Sequence, residues 1–145
     1  MKVLLCADLT EQSLEKLAIF AKTPYFEKAD EIHITHGFET NVYAGEFYAQ
    51  YYPSEKDFPV IQKSSIELMR NVLDKAFSEK KIDSIYYHCL FSPNRKDVVA
   101  NFAETLEADL VVVATRALTG LKGVFSSSFA EYMIRHAHCN VLVLK

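Results

Sequence analysis

Five short apolar runs punctuate the chain, and between them the apolar residues fall at helical spacing. Val3 to Ala7 (VLLCA) is an uninterrupted run, the pattern of a strand covered on both faces. Thr10 then stands where a helix N-cap belongs, Leu14, Leu17, Ala18 and Ala21 keep one face of a helix, and Pro24 is expected to end it. Ile32 to Phe38 (IHITHGF) predicts a second strand. From Val60 to Lys80 an apolar stripe of Ile61, Met69, Val72, Leu73, Ala76 and Phe77 predicts a long helix with charges on its other face. Ile85 to Phe91 (IYYHCLF) predicts a third strand. Pro93 suits the first turn of the next helix, whose buried stripe is Val98, Val99, Phe102, Ala103 and Leu106. After the short link Glu107-Ala108 comes a buried strand from Leu110 to Thr115, a loop with Gly120 and Gly123, a helix opened by Ser126, Ser127 and Ser128, and a last strand, Asn140 to Lys145.

Strand and helix alternate five times, which implies a parallel sheet joined by right-handed crossovers with helices on both faces. The expected fold is therefore a single doubly wound, Rossmann-like α/β domain over residues 1–145. One segment breaks the rhythm. From Gly37 to Pro59 it carries Phe38, Tyr43, Phe47, Tyr48, Tyr51, Tyr52 and Phe58 among few aliphatic residues. Rings act mostly through burial, so this insertion is read chiefly as cover for the side of the domain.

Composition narrows the function classes. Half the residues are hydrophobic and 24% charged, the balance of a water-soluble domain. A formal net charge of −3 leaves no electrostatic footprint for nucleic acid or an anionic membrane. No apolar run approaches the length of a membrane span and no signal-peptide pattern precedes the first strand, so a cytoplasmic location is expected. Cys6, Cys89 and Cys139 are odd in number and far apart, which argues for reduced thiols rather than a disulfide framework or a zinc knuckle.

In open parallel sheets ligands bind beyond the carboxyl ends of the strands, where the strand order reverses. Here those ends are Ala7-Asp8 and Ala114-Thr115-Arg116-Ala117, and the serines at 126–128 add hydroxyls and the unpaired N–H groups of a helix start. Asp8 offers an acceptor for a nucleoside's hydroxyl or amine protons, and Arg116 and the serine amides suit phosphate. Asp8 is equally placed to cap the following helix.

Other constellations carry less. His136-Ala137-His138-Cys139 lies at a helix end where neighbouring side chains diverge, so structural roles are expected and no metal. His33, His36 and His88 sit on strands, where a histidine is usually a satisfied core or edge group. The chain has no nucleophile elbow, zinc-protease helix, P-loop or dinucleotide fingerprint, hence no visible catalytic machinery. A phosphorylatable receiver domain would need an acidic cluster after the first strand, an Asp after the third and a Lys after the fifth. Asp8 stands alone, the third strand ends in Leu90-Phe91 and Lys145 is terminal.

At these residues the chain resembles the universal stress proteins, over nearly its whole length. Asp8-Leu9-Thr10-Glu11-Gln12-Ser13 is similar to the family's D-G-S-E-x-S start, Ser92-Pro93 to its turn after the third strand, and Ala108 to Val113 to its A-D-L-I-V-M strand. Leu118 to Gly123 matches a common loop, and Ser128 to Ala137 matches S-V-S-E-Y-V-L-R-H-A. The resemblance implies a HUP-type domain with strand order 3-2-1-4-5, a role in survival under stress, and a homodimer paired through the last strand, here Val141, Leu142, Val143 and Leu144. It also implies either of two branches. One binds ATP through G-x-x-G followed further on by G-S or G-T, and the other lacks that motif. On this chain the pattern falls on Ala114, Ala117, Ser127 and Ser128, so all three glycine positions are substituted. A Cβ where backbone must approach a phosphate costs roughly 1–2 kcal/mol of strain or fills the space. The expected function is a homodimeric stress-response module with a degenerate nucleotide site and no enzymatic step. The alternative is a working ATP- or AMP-binding protein that uses Ala7, Asp8, Ala114, Arg116, Ala117 and Ser126 to Ser128.

Overall fold

The structure, a computed structural model, describes residues 1–40, 54–114 and 129–144, the side chain of Ile82 excepted. Its elements follow the apolar runs. β1 (Lys2–Cys6), β2 (Glu31–Glu39), β3 (Ile85–Ser92), β4 (Leu110–Ala114) and β5 (Asn140–Leu144) alternate with α1 (Glu11–Ala18), α2 (Pro24–Lys28), α3 (Phe58–Ala76), α4 (Arg95–Thr105) and α5 (Phe129–His136). The strands form one parallel sheet in the order β3-β2-β1-β4-β5. The chain thus winds outward from β1 to β3 on one side, then returns to the centre and winds outward again.

Strand alternation sorts the core into two layers. Val3, Leu5, Ile32, Ile34, Leu110 and Val112 face a layer with Leu14, Leu17, Phe20, Met69, Leu73 and Phe77, supplied by α1, α3 and the turns beside them. Leu4, Cys6, Val111 and Val113 face the other layer, where Val99, Ala100 and Ala103 of α4 meet Ala130 and Met133 of α5. Each fully buried Leu, Phe or Met side chain adds roughly 1.5–3 kcal/mol by leaving water.

Two prolines behave differently from expectation. α1 ends at Ala18 in a 3-10 turn (Ile19–Lys22), and Pro24 opens α2 as its first residue instead of stopping α1. A missing N–H costs nothing where the first-turn amides have no partner. Pro93 lies before α4, whose N-cap is Asn94: its side chain accepts from Lys96 N at 3.0 Å and from Asp97 N at 3.4 Å.

α4 ends in a Schellman turn. Ala108 N donates to Ala103 O at 3.0 Å and Glu107 N to Glu104 O at 2.9 Å, with Glu107 held at φ 55°. This turn lets the two-residue link re-enter the sheet at β4. There Asp109 N donates to Lys2 O at 2.9 Å, and Lys2 N to Asp109 Oδ2 at 2.7 Å. At the other end of α4, Gly37 of β2 lets the helix approach: a Cβ on Gly37 would lie 3.1 Å from Arg95 O and 3.1 Å from Val99 Cγ2.

Of the aromatic insertion, residues 41–53 lie outside the described residues. Its two ends do pack as cover. Phe38 and Phe58 both stack on Phe91 of β3, at centroid distances of 5.2 Å and 4.0 Å.

Candidate functional site

β1 has β2 on one side and β4 on the other, so the winding reverses between β1 and β4. A crevice at that reversal, beyond the carboxyl ends of the strands, is where this architecture places ligands. Cys6 pairs in register with Val113; Ala7 follows the last residue of β1, and Ala114, the last residue of β4, pairs on its other side with Leu144. Ala7 is buried, and Ala114 packs against the same apolar layer. Of the candidate residues the structure describes Ala7, Asp8 and Ala114, at the carboxyl ends of the neighbouring strands β1 and β4. Arg116, Ala117, Ser126, Ser127 and Ser128 lie outside the described residues.

Both polar atoms of Ala7 are fixed by β2. Its N–H donates to Thr35 O at 2.8 Å, and its carbonyl accepts from His36 Nδ1 at 2.7 Å. Asp8 thus extends from a held peptide. The N-cap of α1 is Thr10, whose hydroxyl accepts from Ser13 N at 3.4 Å, so the capping position belongs to Thr10 and not to Asp8. That half of the sequence-level alternative for Asp8 is decided by two residues of spacing.

His36, expected from the sequence to be a satisfied core or edge group, is hydrogen-bonded to the exit of β1. Burial lowers its pKa, while the Ala7 carbonyl and the Asp8 charge favour the imidazolium and Arg95 opposes it. The His36 ring meets Phe38 edge-on at 4.4 Å, and Phe38, Phe91 and Phe58 continue as parallel rings. A column of four rings therefore runs from the exit of β1 to the start of α3. The sequence signal was the parallel register itself, which sets residue 36 beside residue 7, but register is invisible until the strands are paired.

On the far side of the reversal, α5 is tied to the start of α4. The Tyr132 hydroxyl donates to Asp97 Oδ1, Asn94 Nδ2 donates to Asp97 Oδ2 at 2.6 Å, and the Lys96 ammonium lies 5.8 Å from the Tyr132 ring centre. These contacts fix α5 against α4. Tyr132 also stacks on His136 at 4.2 Å, which gives that histidine a packing role at the helix end.

Away from this site, an open hollow of about 730 Å³ lies at the amino ends of β4 and β5. Glu104, Glu107, Asp109, His138, Cys139 and Asn140 line it, at the opposite end of the strands from the reversal. Among the described residues the one buried side-chain polar atom without a partner, Thr35 Oγ1, is not in the lining of this hollow. Among the described residues no group of three or more His, Cys, Asp or Glu side chains is arranged to hold a metal ion, and no helix is long and apolar enough to cross a membrane. Burial raises the thiol pKa of Cys6, Cys89 and Cys139 alike, so all three are held as neutral thiols.

Comparison with known proteins agrees with this fold. A family model described as the universal stress protein family matches residues 1–145. A universal stress protein of Methanocaldococcus jannaschii is 47% identical over 47 residues, which are 32% of this chain and 28% of that protein's length. Among solved structures, one of a universal stress protein in complex with cAMP superposes with a TM-score of 0.66 at 16% identity, covering 99% of this chain and 95% of the other. The universal stress protein of Archaeoglobus fulgidus in complex with dAMP gives a TM-score of 0.66 at 17% identity, covering 100% of this chain and 98% of the other. At such identities what is shared is the fold.

Proposed function

We propose that this chain, which belongs to the universal stress protein family over residues 1–145, is a stress-response module without an enzymatic step, and that it takes a single-phosphate adenine nucleotide at the carboxyl ends of β1 and β4. The observation that carries the reading is the register of Cys6 with Val113, which sets the Ala7-Asp8 and Ala114 strand ends next to each other at the reversal. Asp8 supplies an acceptor for ribose hydroxyls from a peptide held by Thr35 and His36. Ala114 stands where the family's nucleotide motif has glycine, so its methyl narrows the approach to a long phosphate chain. A nucleotide with one phosphate needs less of that approach than ATP does. Relatives of the same fold have been solved with cAMP and with dAMP, which supports the same ligand class. Arg116 and Ser126 to Ser128 are the proposed phosphate partners.

The module works as a homodimer in this reading. β5 is an edge of the sheet, and Val141, Leu142 and Val143 are only partly covered within one chain. A second copy of that edge would satisfy its outward backbone groups. Thermal denaturation with AMP, cAMP and ATP tests the ligand class, because a ligand that binds only the folded state must raise the melting temperature. AMP or cAMP should raise it more than ATP at equal concentration. An absent shift with every adenine nucleotide would leave the pocket vestigial and the dimer alone as the working part. Sedimentation at micromolar concentration tests the dimer, which a purely monomeric boundary would refute.

A further inference from the structure

The His36 ring does two things at once, and resting on the nucleotide reading above they point to a role. Its Nδ1–H donates to the Ala7 carbonyl, so the neutral ring takes a second proton at Nε2 and the hydrogen bond survives protonation. What changes on protonation is the charge held against the Ala7 carbonyl, on the peptide that leads into Asp8. The groups acting on the ring come from each neighbour. Asp8 after β1 favours the imidazolium and Arg95 of α4 opposes it. On β2, Glu39 is engaged with Arg95 at 3.8 Å. On β3 the register partner is Cys89, a half-buried neutral thiol, and α3 contributes the Phe58 ring at the end of the column.

We propose that His36 is a positioning residue of this site, holding the Ala7-Asp8 peptide in place for the ligand and, once protonated, drawing the Asp8 carboxylate away from it. Nucleotide affinity then falls on acidification, although no phosphate contact is made by His36 itself. Asparagine at this position keeps an amide N–H where Nδ1–H stands but takes no proton. Alanine removes the donor altogether.

Cyclic AMP is the probe of choice, since its phosphodiester keeps one charge across the range. At about pH 7.5 His36→Asn should bind it within about twofold of the wild type, while His36→Ala should lose about tenfold. Between about pH 7.5 and about pH 5.5 wild-type affinity should fall about fivefold and that of His36→Asn should stay level. Parallel pH profiles, or equal losses in the two variants, would overturn the proposal. A second arm needs no ligand: the His36 ring is titrated by NMR in the wild type and in Asp8→Asn. The midpoint should move to lower pH in the variant, because the charge that favours the imidazolium is gone. An unmoved midpoint overturns the coupling. If wild-type protein bound no cyclic AMP at any pH, the nucleotide reading would fall, and the ring titration would still decide whether His36 and Asp8 are coupled.

Discussion

His88 Nε2 lies 3.0 Å from His33 Nδ1, and the two rings stack at 5.2 Å on the face of the sheet that α4 covers. His33 Nε2 faces Glu31 Oε2 at 3.3 Å, so its proton sits on Nε2 and donates to the carboxylate. His33 Nδ1 is then the acceptor and His88 Nε2–H the donor. A proton added to His33 puts an N–H on Nδ1, which His88 can meet only by moving its own proton from Nε2 to Nδ1.

The pair makes stability depend on pH. Burial lowers the pKa of both rings, that of His88 to about 4 with the His33 charge adding to it, while Glu31 opposes the shift at His33. The folded state therefore prefers neutral rings. Their contribution is complete above the unfolded value near 6.5 and is lost as pH falls toward about 4. The urea midpoint should drop between those limits. His88→Gln keeps a donor for His33 Nδ1 without a titrating ring, so its midpoint should drop less; an equal slope in both proteins would refute the account.

Thr35, next to this pair on the same face, is 1% exposed, and its hydroxyl has no hydrogen-bond partner among the described residues. Thr35→Val replaces that hydroxyl with a methyl of similar size. It should be neutral or stabilise the protein by about 1 kcal/mol, because an unpaired buried hydroxyl costs about that much. A clear loss in chemical denaturation would mean that the hydroxyl is satisfied.

Gly37→Ala tests the close approach of α4. The added Cβ would sit 3.1 Å from a backbone oxygen, Arg95 O, as well as 3.1 Å from Val99 Cγ2, and backbone gives way less easily than a side-chain tip. A loss of about 1–3 kcal/mol is expected. A variant as stable as the wild type would show that α4 can retreat without cost.

Glu107→Gly tests the Schellman turn from the opposite direction. Glu107 is a non-glycine residue at φ 55°, with Glu104 O and Ala103 O capped through residues 107 and 108. Relief of left-handed strain exceeds the added freedom of the unfolded chain, so glycine should stabilise by about 0.5–1 kcal/mol. Destabilisation would show that the Glu107 side chain contributes more than its backbone strain costs.

Strands and helix faces were legible because burial imposes period and run length on the sequence, as in VLLCA and LVVVA, whereas the strand order was implied by the resemblance to the universal stress proteins. The two prolines were misplaced by a few residues because Pro24 and Pro93 satisfy both a stop and a start. The His33–His88 pair and the His36–Ala7 hydrogen bond were illegible for a different reason: each depends on register between strands distant in sequence. Asp8 was legible as a strand-end acid, and Thr10 as a cap, but their division of labour needed the observed Thr10–Ser13 contact.

The central claim is that the carboxyl ends of β1 and β4 form a pocket for a single-phosphate adenine nucleotide. Titrating AMP into isotopically labelled protein and following the backbone amides tests it most directly. The amides of Ala7, Asp8, His36 and Ala114 should shift together and saturate, with smaller changes for Asp8→Asn at equal AMP. No shift at those positions, or shifts confined to the hollow lined by Glu104, Glu107 and His138, would contradict it.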